Sequence, residues 1–593
     1  MKVNKLFLRI MLCAAFSFVL FMTGCEEEAK PVEKKEPLVD KEDIHVGLVK
    51  REFRAVWVPT VGNYDFPTSR SETAFRREFN AVLDTIERYN MNAVIFHVSP
   101  ILDAWWDSEL NPWSRFLTGY NQGDPPGGTT IWDPMRIMLD LSHERGIEFH
   151  AWLNPYRAAA SYGAMQGNTI GQLDAMTVPE LIDVMKQNRT LADNNFAVLN
   201  PETVYRGRKV SGTIGTEYRS LYLDPSFDKV HEHINAVVNE LLTKYPDLSV
   251  IHYDDYFYPY DFTYDNGGKE ALADSWARVL LEEKDKYPYD AVEYWEQWLR
   301  DNNDRFVREV QQTIRDHNKR TGSAVRFGIS PIGVWARSDV PGGLSLPGAT
   351  SFAYKGGVYA DFRKWVLNEM CDYLVPQVYW AFENTYAPYD TLTEWLIDLH
   401  KDKNVHLYMG HGPYQFTNDP VPAGFVGSSN ANQILRQLQF NRLRPTVKGS
   451  VFYTYQNFTR SGGSGQTAVL SQNNAFIREY WYHKALLPEM PWLNDVKPAA
   501  PQNVTRSGKV ISWNDTSDTQ YYVVYRVTTS TFMSEESDYV VQDPTKILAK
   551  VWREENKTKH SFTDTTESPG QYTYYVTAVS NTHLESLPSL AAK

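Results

Sequence analysis

The densest run of reactive side chains is His252-Tyr253-Asp254-Asp255-Tyr256-Phe257-Tyr258-Pro259, which closes an apolar stretch beginning at Val250. Two adjacent carboxyls at a strand end are costly unless hydrogen-bonded, metal-bound or used in chemistry. Neighbours on a strand point to opposite faces, so while the strand stays regular at most one of Asp254 and Asp255 faces inward. The chemistry that such acids serve is acid/base cleavage of a glycosidic bond. It needs one carboxyl to protonate the leaving oxygen and a second to act as nucleophile or to activate water. Candidates for the partner are Glu383, after QVYWAF, and Asp103; Asp65 and Asp107 also follow apolar runs.

Histidines offer a competing chemistry. His97, His150, His252 and His411 fall in four different apolar runs. Several His with an Asp inside one fold can hold a divalent ion for a metal-dependent hydrolase. None of them lies in a compact His-x-His or His-x-x-x-His spacing, so no metal or other cofactor is assigned. A Gly-x-Ser-x-Gly elbow is absent, which leaves serine nucleophile chemistry unsupported.

Eight apolar, aromatic runs must position these residues: Phe53–Val61, Asn92–Pro100, Glu148–Arg157, Val250–Pro259, Arg326–Trp335, Asp372–Phe382, Val405–Gln415 and Gly449–Phe458. Helical apolar spacing separates them, as at Glu72–Tyr89, Asp228–Tyr245 and Tyr294–Asn318. Near-continuous apolar strands alternating with helices predict a parallel sheet buried on both faces. The fold class is therefore α/β: a (β/α)8 TIM barrel over residues 51–488, with long insertions after the third, fourth and fifth strands. A doubly wound open sheet is the alternative, but no Gly-rich phosphate loop follows any strand. Barrel chemistry sits at the carboxyl ends of the strands. There the rings of Trp57, Trp105, Trp106, Tyr156, Tyr256, Tyr258, Trp335, Tyr379 and Trp380 are expected to line a sugar-binding cleft, with Trp152, Tyr414 and Tyr455 in the same ensemble. The whole chain holds 17 Trp and 36 Tyr, enough to fill such a cleft and a core.

Beyond about Pro488 the pattern changes to short alternating strands, with Trp513 on an early one and Tyr572–Val579 on a late one. Residues 496–593 resemble a fibronectin type III sandwich, a small all-β module.

The barrel region also resembles a known family, the glycosyl hydrolase-like 10 family. The likeness is carried in order by EFRAVWVPTVGNYDFP, LNPWSRFLTG, GIEFHAWLNPYRA, LYLDPSFDKV, IHYDDYFYPY, RFGISPIGVW and DYLVPQVYW, and spans roughly residues 51–481. The resemblance implies a glycosidase fold acting on a complex glycan, either peptidoglycan glycan strands or another polysaccharide. It also implies that Asp254 and Asp255 are the family's paired acids, that Asp65 and Asp103 are its acids on strands one and two, and that Asn154 and Arg157 form its strand-three motif. Departures fall at His97-Val98-Ser99-Pro100-Ile101, at Gly410-His411, and at Ala381, where relatives carry Glu and this chain has Glu383 two places later. His411 joins the expected substrate-binding set. A non-catalytic glycan-binding lipoprotein that keeps the same aromatic cleft is the alternative, followed by the metal-dependent hydrolase.

The first residues read as an export signal. Lys2, Lys5 and Arg9 precede an apolar run ending in Met22-Thr23-Gly24-Cys25. Residues 1–24 are expected to be a lipoprotein signal peptide, with Cys25 lipidated and residues 25–50 a charged, Pro-containing tether. The run is short for a transmembrane helix. This predicts an exported lipoprotein of a Gram-negative bacterium, on the outer membrane, with the cell surface as one location open to it. Cys13 departs with the signal and Cys25 takes lipid, so Cys371 remains without a disulfide partner. The formal net charge of −13 becomes −16 without Lys2, Lys5 and Arg9, which argues against nucleic acid as a partner.

Overall fold

The computed structural model describes residues 48–589, apart from 68–69, 120, 166, 207–218, 256, 261, 348–352, 426–431, 460–462, 529–539, 555 and 567–570. The expected lipid-bearing Cys25, the signal and most of the tether lie outside the described residues, as does Tyr256.

Eight parallel strands close a barrel in strict chain order. They are β1 (Phe53–Val58), β2 (Ala93–Ser99), β3 (Glu148–Leu153), β4 (Val250–Tyr253), β5 (Arg326–Ile329), β6 (Tyr373–Leu374), β7 (His406–His411) and β8 (Val447–Phe452). The helices between them are α1 (Glu72–Arg88), α2 (Pro134–Glu144), α3 (Asp228–Lys244), α4 (Val292–Thr321), α5 (Phe362–Leu367), α6 (Tyr389–His400) and α7 (Gln433–Arg442), with α8 (Gly463–Glu479) after β8. The expected (β/α)8 architecture is what forms. Start signals are local: Ser71 caps α1 by accepting from the Ala74 N–H, and Asp133 caps α2 ahead of Pro134.

Side chains rather than space fill the lumen. Phe53 stacks on Tyr408 with centroids 4.2 Å apart, and Ala55, Trp57, Trp152 and Tyr373 complete the layers. A Cβ on Gly328 would lie 1.9 Å from the Tyr373 ring, so only glycine on β5 lets that ring cross the lumen. Polar groups buried among these layers are joined in sequence along the lumen. Glu148 bonds His150 Nε2 at 2.8 Å, and the Tyr373 hydroxyl lies 2.9 Å from Nδ1 of both His150 and His252. His252 Nε2 then meets Ser330 Oγ at 3.0 Å.

The long insertion after β3 holds a small antiparallel sheet of Arg157–Ala159, Leu221–Leu223 and Val204–Arg206. At the C-terminus, β9 (Thr505–Ser507), β10 (Val510–Asn514) and β13 (Lys559–Thr563) form one antiparallel sheet. A second is made of β12 (Ile547–Trp552), β11 (Tyr521–Thr528) and β14 (Tyr572–Val579). Alternation along β11 serves two cores: Tyr522 and Val524 pack with Ile511 and Trp513, while Tyr521, Val523 and Tyr525 pack with Leu486. The second core, with Gln520 bonding Ser249 at 2.7 Å and Trp552 stacked on His143, seats this module on the end of the barrel where strands begin.

Candidate active site

Both acids lie just past β4 and are almost closed from solvent, Asp254 at 3% and Asp255 at 2% exposure. They turn to different donors. The Asn154 amide donates to both oxygens of Asp254, at 3.1 and 3.2 Å, and its own carbonyl oxygen accepts the Arg157 N–H at 2.9 Å. The turn after β3 is thereby locked against the end of β4. Asp255 accepts from the Tyr260 hydroxyl and from the Gln377 amide, while Gln377 also donates to the Ser330 carbonyl at 2.9 Å. Burial drives the Asp255 carboxyl above the usual aspartate range, against the pull of these hydrogen bonds and of the Arg157 charge.

Beside them His97 stacks flat on Trp152, centroids 3.8 Å apart. Burial holds its ring neutral, with the Arg157 charge acting in the same direction. Neither ring nitrogen has a hydrogen-bond partner among the described residues, so donor and acceptor capacity at the end of β2 is unused.

Half-buried rings gather past the ends of β6, β7 and β8. Tyr379, Tyr414 and Tyr453 lie with centroids 5.8–6.1 Å apart, and Trp57 meets Tyr453 edge-on at 6.2 Å. Asp65 braces this corner, accepting the Thr454 hydroxyl at 3.1 Å and the Gln456 N–H at 3.3 Å. Such a platform offers flat apolar faces with polar rims, which suits the C–H face of a sugar.

The profile of the family described as Glycosyl hydrolase-like 10 matches residues 52–422, most of the barrel. The chain belongs to the glycosyl hydrolase-like 10 family. Among its relatives, glycosyl hydrolase YngK of Bacillus subtilis (strain 168) is 30% identical over 91% of this chain and 92% of its own length. Glycosyl hydrolase DigH of Escherichia coli (strain K12) is 29% identical over 74% of this chain and 90% of its own. Among solved structures, the catalytic domain of β-amylase from Paenibacillus polymyxa is similar at 12% identity and a TM-score of 0.41, over 72% of this chain and all of that one.

Within this glycosyl hydrolase-like 10 barrel, several residues expected at the cleft stand elsewhere. Trp105 is fully buried among Phe66, Phe75 and Phe96, and Trp106 is buried with its N–H donating to Glu240 at 2.9 Å. Tyr156 and Tyr258 pack on each other beneath α4, and Trp335 stacks on Trp395 while donating to Asp361. These five rings are core: the long insertions need their own apolar interiors, and large aromatics fill them. Trp380 is half-buried against the main core, and its carbonyl accepts from Gln437 at 2.9 Å. His411 is buried between Gln437, at 2.9 Å, and Ser450, at 3.0 Å, which occupies both ring nitrogens.

The two expected partner acids are also placed. Glu383 is held by Gln433 at 2.7 Å and Arg436 at 2.6 Å, both on α7. Those donors keep its carboxyl below the usual glutamate range in spite of partial burial, the reverse of what a proton donor needs. Asp103 is fully buried under the turn after β2, where it accepts the Ile101 N–H at 3.3 Å and a bond from Ser114, and burial pushes it up to about 7. Sequence reasoning missed Gln377, Tyr260 and Tyr453. Gln377 stands inside the quoted DYLVPQVYW, so its place at the end of β6 was the available signal. Among the described residues no group of three His, Cys, Asp or Glu is arranged to hold a metal.

Proposed function

We propose that this chain hydrolyses glycosidic bonds in a complex glycan, either peptidoglycan glycan strands or another polysaccharide, by carboxyl acid/base chemistry at Asp254 and Asp255. The observation that carries the reading is the unequal environment of the two acids. Neighbouring carboxyls held by different donors can divide acid and base roles between them. Asp255, whose carboxyl burial raises above the usual aspartate range, is assigned the role of giving a proton to the leaving oxygen. Asp254 receives both hydrogen bonds from one amide, which suits a charged carboxylate opposing the positive charge that develops at the anomeric carbon. The Tyr379, Tyr414 and Tyr453 rings supply a surface on which a sugar can lie. That YngK and DigH are named glycosyl hydrolases agrees with this reading.

The proposed setting is an exported lipoprotein held at the outer membrane through Cys25, with residues 496–593 serving as a fibronectin type III-like spacer rather than carrying chemistry. The test of function is release of new reducing ends from a panel of glycans that includes peptide-stripped peptidoglycan. Release that persists in a chelator is expected. Tight binding without new reducing ends would favour the non-catalytic glycan-binding protein, and loss of activity on chelation would favour the metal-dependent hydrolase.

A further inference from the structure

Alternation along β2 turns Ala93, Ile95 and His97 to the lumen, where Ala93 and Ile95 pack with Trp57 and Trp152. Strand register sets His97 level with Trp152 of β3 and, through it, with His252 of β4. Asp254 follows His252 by two residues, and Asn154, which donates to Asp254, follows Trp152 by two. The acid and its amide thus form the next layer toward the carboxyl ends, and His97 belongs to the layer on which a sugar held there would rest. The Arg157 charge reaches both His97 and Asp255, so the imidazole and the second acid share one neighbour. His97 is 1% exposed, and the acids are as closed, so the approach of a glycan to the acids is also its approach to this ring.

Neither His97 nitrogen meets a donor or acceptor among the described residues, and the Trp152 indole N–H beside it is also unfilled. The two cannot serve each other. Their rings are parallel to within 4° at 3.8 Å, whereas the N–H bonds and the bare nitrogen's lone pair lie in the ring planes. Stacking alone does not call for an imidazole, because a phenyl ring would cover the indole face without burying two polar atoms. A buried polar group left unbonded costs free energy, so one kept beside paired acids calls for a use. The neutral ring offers one N–H and one bare nitrogen. A hydroxyl, which both donates and accepts, suits either of them, while a carboxylate can use only the N–H.

We propose that His97 is a substrate-binding residue, whose imidazole hydrogen-bonds a hydroxyl of the sugar held at Asp254 and Asp255 and so fixes that sugar for cleavage. This rests on the glycan reading above and adds to it the uncharged group that the site selects and the residue that selects it.

The experiment compares His97→Phe and His97→Gln with the wild type, on the full chain and with peptide-stripped peptidoglycan strands as the probe. Phe keeps the stack on Trp152 and removes both nitrogens, and Gln restores a donor and an acceptor. Thermal unfolding is followed without glycan, affinity is measured by calorimetry, and reducing ends are counted in parallel. The nitrogens bond nothing described in the free protein, so His97→Phe should unfold no more than about 3 °C below the wild type. Its affinity and its rate of reducing-end release should each fall about tenfold or more, because the sugar hydroxyl then meets a ring that cannot bond it. His97→Gln should recover part of both. A larger fall in the His97→Phe midpoint overturns the proposal, since the imidazole would then be holding the fold. Undiminished affinity and cleavage in His97→Phe overturn it too, and leave the hydrolase reading standing. Strands bound but never cut, with the binding lost in His97→Phe, would sustain the proposal and remove the hydrolase reading.

Discussion

Burial pushes both Asp255 and Asp103 toward the protonated form, but their neighbours give them different work. Asp255 meets Arg157 and the Gln377 amide at the end of the lumen, whereas Asp103 ties Ile101 to Ser114 inside a turn. The linkage for Asp103 has a definite sign. Its folded-state pKa of about 7 lies above the ordinary 3.8, so the folded chain holds this proton more tightly than the unfolded one. The resulting stability is complete below about pH 4 and is lost as pH rises through about 7. Asp103→Asn keeps an acceptor for the Ile101 N–H and has no proton to lose. Its unfolding midpoint relative to wild type should therefore climb between pH 5 and pH 8, by an amount worth a few kcal/mol; a difference independent of pH contradicts the assignment. At this scale the acids were legible, because paired carboxyls at a strand end have few structural uses. The rings were less so. Trp105 and Tyr379 look alike in sequence, and only the closing of the insertions decides which is core.

The eight strands were legible for a physical reason: burial on both faces turns each into an apolar run that alternation cannot disguise. The three-residue strands of the β3 insertion leave no such pattern, and β12, with a burial pattern that does not alternate, was missed too. Strand ends also carry a cost that sequence hides. On β5, Arg326 is 2% exposed and pairs with Glu148 of β3 at 2.8 Å, and both meet His583. The Arg326 charge foremost, with His583 and His150, holds the Glu148 carboxyl well below its usual range despite full burial. Arg326→Met would strand that carboxylate in the barrel floor. Denaturant unfolding should show a loss of about 3–5 kcal/mol, and a loss under about 1 kcal/mol would mean the pair is not what secures β3 to β5.

On the scale of the molecule, the chain enters the barrel from the floor. Lys50 and Arg51, just before β1, both pair with Glu585 of the C-terminal module. The carboxyl pair sits at the opposite end, past β4, and the lipid is proposed on Cys25, so the proposed anchor and the site are separate parts of the chain. Cys25→Ala should therefore move the protein from the membrane to the soluble fraction on cell fractionation while leaving turnover of a soluble glycan unchanged. Retention at the membrane would contradict the anchor. The central claim is that Asp254 and Asp255 carry out glycan cleavage. Its most direct test is the rate of reducing-end release by Asp254→Asn and Asp255→Asn, with folding checked by thermal unfolding. The account predicts folded proteins whose rates fall by about 10² to 10⁴-fold. Two folded variants that cleave at the wild-type rate would contradict it.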